Sequence, residues 1–497
     1  MRQVAPRFRA QGVIISGSET GRQTFHSRAQ CSANSPASWA DLPKGEAFDT
    51  PSISLNSALD LQRFCRQSGV EKTSKHLESF KSFHFPRQQF HDLLHVPMKV
   101  LVLSSLFPNP VQRRHGIFIE HRIAATYSSG IEMRVVAPVP WFPSRNERWG
   151  RYASYADIPL DAERRGISID HPRYLTVPKF GQTVAPALMA ASLYRHIARL
   201  RRTFDFDVID SYYLYPDGVA ASWLAKMFDR PFIRSALGTD VSLIPNWLPS
   251  RKMIVKAVRQ SAATTAVCKA LVQGLENIGA PAGKLHVIEH GVDLKMFSPP
   301  DDRAQLRLKL GFHGPTILSV GHLIERKGHD LAIRALAGLP GASLVIAGDG
   351  PLEMKLRQLA TDLGVGDRVR FLGHVEQHEL PAIYGSADLT LLCSDREGIA
   401  NVLLESIACG TPLVATSVWG SPDVITCPEA GVLTGDRSPM GIERVLRKIL
   451  ADMPDRSATR RYAERYDWTE TGRLHRALLM QAVLQYQANS SSQPVPT

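Results

Sequence analysis

"MKVLVLSSLFPNP", residues 98–110, decides the fold. Val100 to Leu103 form an apolar run that does not alternate, so a strand made of them is buried on both faces rather than solvated on one. Two serines and then Pro108, Asn109 and Pro110 break the run and place a loop directly after the strand. Such a strand belongs to a parallel sheet covered by helices on both faces.

Outward from it, toward the C-terminus, strands and helices alternate. "IFIEHRIAATYSS" reads as a helix, "EMRVVAPV" as a strand, "ALMAASLYRHIARLRRTF" as a helix and "DVIDSYYLY" as a strand. "DGVAASWLAKMF" adds a helix, and "PFIRSAL", "SAATTAVC" and "KLHVIEHG" add strands. A Pro- and Asp-rich linker, "DLKMFSPPDDRAQ", interrupts the pattern, which restarts at "TILSVG" and runs through "ASLVIAGDG", "RVRFLGHV" and "DLTLLCSD". The expected architecture is α/β, with two doubly wound domains over residues 98–298 and 299–468. Ligands of open parallel sheets sit at the C-terminal strand edges, so the cleft between the domains is the expected site.

Toward the N-terminus the pattern fails. Residues 1–97 are rich in Ser, Gln and Arg with no sustained period, and read as a poorly ordered extension. A targeting peptide is one reading of its acid-poor opening. A functional start at Met98 is the more economical one. The tail, 488–497, reads as disordered.

At 44% hydrophobic and 21% charged residues the 497-residue chain has the composition of a soluble globular protein. No apolar run approaches about 18 residues, so no membrane-spanning helix is expected. The six cysteines lack C-x-x-C spacing, which argues against a zinc site or a disulfide framework and for a cytoplasmic setting. The formal charge of +12 divides into +4 over residues 1–97, +10 over 98–300 and −2 over 301–497. A basic first domain suits nucleic acid, anionic lipid or a phosphorylated substrate.

The chemistry concentrates in "DREGIANVLLESIACGTPLVAT", residues 395–416. On one helix Glu397 and Glu405 would stand roughly 80° apart, so a helical pair does not explain them. Asn401 is instead the expected N-cap of a short helix, with Gly410 at C′ and Pro412 blocking continuation. Glu397 then lies in the preceding loop and Glu405 inside the helix. Earlier, "HLIERKGHD" puts Arg326 and Lys327 directly before Gly328 and another helix, an arrangement suited to phosphate or diphosphate. A carboxylate inside a phosphate-binding helix is explained if Glu405 accepts from ribose hydroxyls and Glu397 from further hydroxyls. "GDG" at Gly348 to Gly350 is a turn, not a dinucleotide fingerprint.

These residues resemble retaining family 4 glycosyltransferases of the GT-B fold. "EGIANVLLESIACGTPLVA" is similar to that family's E-x7-E signature, and "VIEHGVDLKMF", "SVGHLIERKGHDLAIRAL" and "FLGHV" are similar to its other landmarks, in order, between Met98 and about Gln487. The resemblance implies two Rossmann-like domains facing each other across a cleft, with a last helix at 469–487 crossing back to the first. It implies a nucleotide-sugar donor (UDP-, GDP- or ADP-linked), an acceptor that is lipid-linked or a cell-envelope glycan, no nucleic acid, no cofactor and no metal.

By residue, the resemblance gives Glu397 the donor sugar, Gly398, Ile399 and Ala400 backbone N–H groups near sugar and phosphates, and Asn401, Val402 and Leu403 the diphosphate. Glu405 would hold the ribose and Lys327 a phosphate, while the backbone of Gly373, His374 and Val375 would hold the base. Gly116 would let the first domain approach the phosphates and acceptor. His322 stands where relatives often carry arginine, which leaves Arg326 as the second cation. Ala400 stands for a proline or aromatic residue, Trp419 for the first glycine of a Gly-Gly pair, Asp423 for a glutamate, and Leu237 for a histidine before Gly-x-Asp. Asp240 is the remaining candidate there for acceptor or sugar contact, against a structural turn aspartate.

Fixed donors and cations around the diphosphate would stabilise the charge that the leaving group gains. Two rivals are a glycoside hydrolase, which has no use for phosphate ligands, and a non-catalytic nucleotide-sugar or nucleic-acid binder. "PVPWFPSRNERWGRYASY" mixes aromatics and cations as a membrane-interface loop would, and "LYRHIARLRRTF" adds a basic helix, so peripheral association with the inner face of the cytoplasmic membrane is expected.

Overall fold

The computed structural model describes residues 97–113, 115–127, 131–141, 146, 151–176 and 181–491. The expectations for residues 1–96, for 492–497 and for most of the aromatic-cationic loop (142–145 and 147–150) lie outside the described residues.

One sheet is built from β1 (Lys99–Leu103), β2 (Glu132–Val136), β3 (Asp161–Arg164), β4 (Ile167–Asp170), β5 (Val208–Tyr212), β6 (Phe232–Ala236), β7 (Ala263–Ala266) and β8 (Leu285–Val287). Its strand order is β8-β7-β6-β5-β1-β2-β4-β3. The second contains β9 (Thr316–Val320), β10 (Ser343–Ala347), β11 (Val369–Gly373), β12 (Leu389–Leu392), β13 (Leu413–Thr416) and β14 (Gly431–Thr434), in the order β11-β10-β9-β12-β13-β14. In these two sheets every pairing is parallel except that of β3 with β4. The architecture is α/β, as the unbroken apolar run of β1 implies, and β5, β6 and β9 are buried along their whole length.

The antiparallel β3–β4 hairpin is absent from the sequence reading. Arg165 and Gly166 form its two-residue turn with φ of 51° and 75°, a primed turn carried by Arg-Gly in place of the usual Asn-Gly signal. Helices Leu248–Gln260 and Lys269–Asn277 likewise fill segments that carried no assignment.

Four helices matter for the site: α1 (Ile117–Tyr127), α2 (His329–Ala337), α3 (Asn401–Ala408) and α4 (Trp468–Ser491). The last does return to the first sheet, where Leu478, Leu479 and Met480 share a core with Val100, Val102, Ile119 and Ile123. It continues to Ser491 rather than ending at 487, with Ser490 Oγ donating to Tyr486 O at 2.9 Å. No described helix is long and apolar enough to cross a membrane.

Each sheet reverses its order once. The chain leaves β1 toward β2 but later returns to β1's other side with β5, and it treats β9, β10 and β12 in the same way. Loops that diverge from such a switch point leave a crevice between them.

Candidate active site

The two crevices open into one cavity of about 520 Å3. Leu106 and Gly116 reach it from the loop after β1, Tyr213 from β5, Arg326 and Lys327 from β9, and Arg396 to Val402 from β12. Gly116 is required where it stands. Its φ is 70°, and a Cβ there would lie 2.2 Å from Leu106 O.

Glu397 sits at the centre of a cation cluster. Lys327 Nζ donates to its Oε1 at 2.7 Å, Arg326 Nη1 lies 3.0 Å from Oε2, and Ser394 Oγ donates to Oε1 at 2.8 Å. Burial pushes its carboxyl up, but Lys327 and Arg326 outweigh burial and hold it below the usual glutamate value. The carboxylate is therefore ionised at the mouth of α3.

Helix α3 starts one residue earlier than its sequence suggests. Ala400, with extended backbone, is the N-cap, and Asn401 is the first helical residue with no side-chain cap. As the first helical residue Asn401 does not occupy the capping position, and it lines the cavity together with Val402. Leu403 does not join them: its side chain is wholly buried and its N–H donates to Ala400 O at 2.9 Å. At the other end Cys409 is the C-cap and Gly410 takes φ 72°, as expected of C′.

Glu405 lies within α3 and outside the cavity lining. Its Oε2 accepts from Tyr384 Oη at 2.8 Å, and burial pushes its carboxyl up to about 7 against that hydrogen bond. His322, Gly373 and His374 lie elsewhere again, at the tips of β9 and β11. His322 Nδ1 is 3.4 Å from Asp349 Oδ1, and His374 Nε2 is 3.0 Å from Glu376 Oε1. His374 lines a second cavity of about 640 Å3 with Val111, Gln112 and His115. His115 also lines the first, so the two adjoin. Val375 is partly buried beside the second sheet's core.

Asp240 lies behind the cavity wall and is not among its lining residues. Its carboxylate is fully buried and accepts from the backbone N–H groups of Leu214 at 2.9 Å, Leu237 at 3.1 Å and Gly238 at 2.7 Å. It shapes the turn that puts Leu237 and Gly238 in the cavity wall, and its own oxygens are spent on that turn. These contacts are those of a turn aspartate.

Several wall residues escaped the sequence reading. His290 lines the cavity, is almost fully buried, packs at a tilt of 59° against Phe118 with ring centroids 5.2 Å apart, and burial lowers it to about 3, so the ring is neutral. Tyr213 has φ 78°, a left-handed conformation that no side-chain pattern announces. Arg396, next to Glu397, lines the cavity as well.

A family model described as "Glycosyl transferases group 1" matches residues 302–466, and one described as "Glycosyltransferase Family 4" matches residues 123–296. A D-inositol 3-phosphate glycosyltransferase from Xylanimonas cellulosilytica is 31% identical over 53% of this chain and 69% of its own. The chain belongs to glycosyltransferase family 4. A GDP-mannose-dependent alpha-(1-6)-phosphatidylinositol monomannoside mannosyltransferase from Mycobacterium tuberculosis is 37% identical over 35% of this chain and 48% of its own. The chain thus spans about half the length of the first curated relatives it matches. In three dimensions it is similar to Anabaena HepE crystallised with UDP and glucose, with a TM-score of 0.58 at 20% identity over 80% of this chain and all of that one. That likeness establishes the GT-B fold.

Two of its departures from the family 4 pattern acquire a physical context. Trp419 takes φ 43°, a conformation free to the glycine usual there but strained for tryptophan. Its ring faces Gly274 of helix Lys269–Asn277, where an added Cβ would stand 3.4 Å from Cζ3. Asp423 Oδ2 accepts from Lys269 N at 2.7 Å, the first N–H of that helix. Trp419 and Asp423 together tie the second-sheet half to one helix of the first.

Proposed function

We propose that the protein transfers a sugar from a nucleotide-diphosphate donor to a lipid-linked or cell-envelope glycan acceptor, with retention of anomeric configuration and without a metal. One observation carries the reading: Arg326, Lys327 and Glu397 converge on the amino end of α3 in the cavity where both sheets reverse. The names of the relatives, which include a GDP-mannose-dependent mannosyltransferase, support it.

In the proposed reaction an acceptor hydroxyl oxygen bonds to the anomeric carbon while the bond from that carbon to the diphosphate oxygen breaks. The electron pair stays on the diphosphate, which takes up the acceptor's proton. Charge grows on the leaving oxygens, where Lys327, Arg326 and the first N–H groups of α3 stabilise it. Glu397 accepts from the donor sugar's hydroxyls, and Glu405 from the ribose. The adjoining cavity at His374 is the place for the base.

Exposed Trp141, Leu175, Val184 and Tyr194 lie on the first-sheet half together with Arg195 and Arg199. Trp141 N donates to Tyr174 O at 2.7 Å, and Leu175 N to Ser192 Oγ at 3.4 Å, which brings these apolar residues beside the basic helix Ala185–Leu200. The patch supports peripheral binding to an anionic membrane. Sedimentation with anionic vesicles at low salt, and none with neutral vesicles, is the expected result.

Thermal stabilisation by UDP-, GDP- and ADP-sugars, followed by product analysis with the stabilising donor, tests the transfer itself. No stabilisation and no turnover with any of them would overturn it.

A further inference from the structure

Arg326 and Lys327 both face one carboxylate, at 3.0 Å and 2.7 Å from the oxygens of Glu397. That trio has a net charge of about +1 by formal count. A nucleotide sugar brings about two phosphate charges, and the departing nucleoside diphosphate about three, since a terminal phosphate ionises near pH 6. The trio alone leaves about half of the donor's charge and about two thirds of the departing diphosphate's unmatched.

A third cation lines the same cavity. Arg396 adjoins Glu397, and its carbonyl accepts from Arg326 Nη1 at 2.9 Å, which fixes its backbone beside the trio. Among the described residues its side chain has no carboxylate partner, and its Nε is buried with no hydrogen-bond acceptor. A buried guanidinium N–H without an acceptor is costly, and an oxyanion removes that cost.

We infer that Arg396 binds a phosphoryl oxygen of the donor's diphosphate, as the one cavity cation that no described protein carboxylate already engages. This rests on the glycosyl-transfer reading and adds a residue to it. With Arg396 the cluster's net charge becomes about +2, matching the bound donor. When the electron pair of the breaking bond settles on the diphosphate, the guanidinium meets the added charge directly. An anion carried by the acceptor would offer the same chemistry, and the test separates the two sources.

Calorimetric titrations of the full chain with UDP, GDP and ADP, and with the parent nucleosides, compare wild type with Arg396→Ala and Arg396→Lys. The expected result for Arg396→Ala is at least a ten-fold loss of affinity for the diphosphate that wild type binds, with the nucleoside bound as before. Arg396→Lys recovers part of the loss, and the unliganded thermal midpoints agree. Unchanged diphosphate affinity in Arg396→Ala overturns the inference, including the outcome in which only the KM of an anionic acceptor rises. Parallel loss of nucleoside and diphosphate binding overturns it too, because the defect is then not in phosphate recognition. Wild-type protein that binds no diphosphate and transfers no sugar overturns the glycosyl-transfer reading itself, whereas transfer that persists with unaltered diphosphate binding in Arg396→Ala sinks only the role of Arg396.

Discussion

Lys327 Nζ donates to Glu397 Oε1 at 2.7 Å, and the two side chains are only 14% and 10% exposed. So enclosed a pair fixes both partners: the lysine keeps the carboxylate ionised, and the carboxylate holds the lysine over the amino end of α3. In the proposed reaction, removing Glu397 takes a hydrogen-bond acceptor from the donor sugar but releases Arg326 and Lys327 for phosphate. Glu397→Ala is expected to lower turnover by about a hundredfold or more while nucleoside diphosphate affinity changes by less than about threefold. Steady-state kinetics and calorimetry on the same preparation check this, and equal losses in both would reverse the assigned roles.

Glu405 gives a pH dependence of predictable sign. Its carboxyl is raised from 4.5 to about 7 by burial, so ionising it costs the folded state stability as pH rises from about 4.5 through about 7. Ribose hydroxyls donate best to the ionised form. Affinity for a nucleotide sugar, whose diphosphate does not titrate in this range, is expected to rise between pH 6 and 8 and then level. Glu405→Gln should bind more weakly and lose the slope. A wild-type affinity flat across that interval would remove Glu405 from ribose binding.

The sequence made some of this legible and hid the rest for definable reasons. Val100 to Leu103 announced a doubly covered strand because burial on both faces removes alternation. Arg326, Lys327, Glu397 and Asn401 could be placed together because each lies within a few residues of a strand end or helix start, where topology alone sets position. Asp240 could not be resolved, since the same Gly-x-Asp pattern serves a turn or a ligand until the three backbone donors around it are seen. His290 and Tyr213 reach the cavity only through a neutral buried ring and a left-handed backbone, neither of which has a compositional signature.

Asp210 and His475, 265 residues apart, make a buried contact with no signature in the sequence. His475 Nε2 lies 2.7 Å from Asp210 Oδ2, both side chains fully buried, and Arg122 Nη2 lies 3.3 Å from His475 Nδ1. The contact fastens α4 to the central strand β5 and to α1. His475→Ala leaves Asp210 and Arg122 buried without that partner, and is expected to cost roughly 3 kcal/mol of stability. Denaturant unfolding measures it. A loss below about 1 kcal/mol would mean that the apolar face of α4, not this pair, secures the helix.

At Gly398 the two halves approach each other beside the cavity. A Cβ there would stand 2.4 Å from Leu237 O and 3.2 Å from Val267 Cγ2, both in the first-sheet half. The Leu237 carbonyl cannot simply retreat, because Asp240 grips the N–H groups of Leu237 and Gly238 on either side of it. Gly398→Ala must therefore push the Glu397 loop away from the opposing wall, at a cost of roughly 1–3 kcal/mol for the overpacked contact. Because that loop carries Glu397, the carboxylate proposed to hold the donor sugar, kcat should fall by more than the nucleotide affinity does. Gly166→Ala is the matched control, since it also replaces a glycine but in the β3–β4 turn, with no atom within 4 Å of the added Cβ. Its φ of 75° brings local strain only, so it should lose some stability and keep its turnover. Equal kinetic defects in the two variants would show that loss of glycine flexibility, and not the approach of Gly398 to Leu237, limits the reaction.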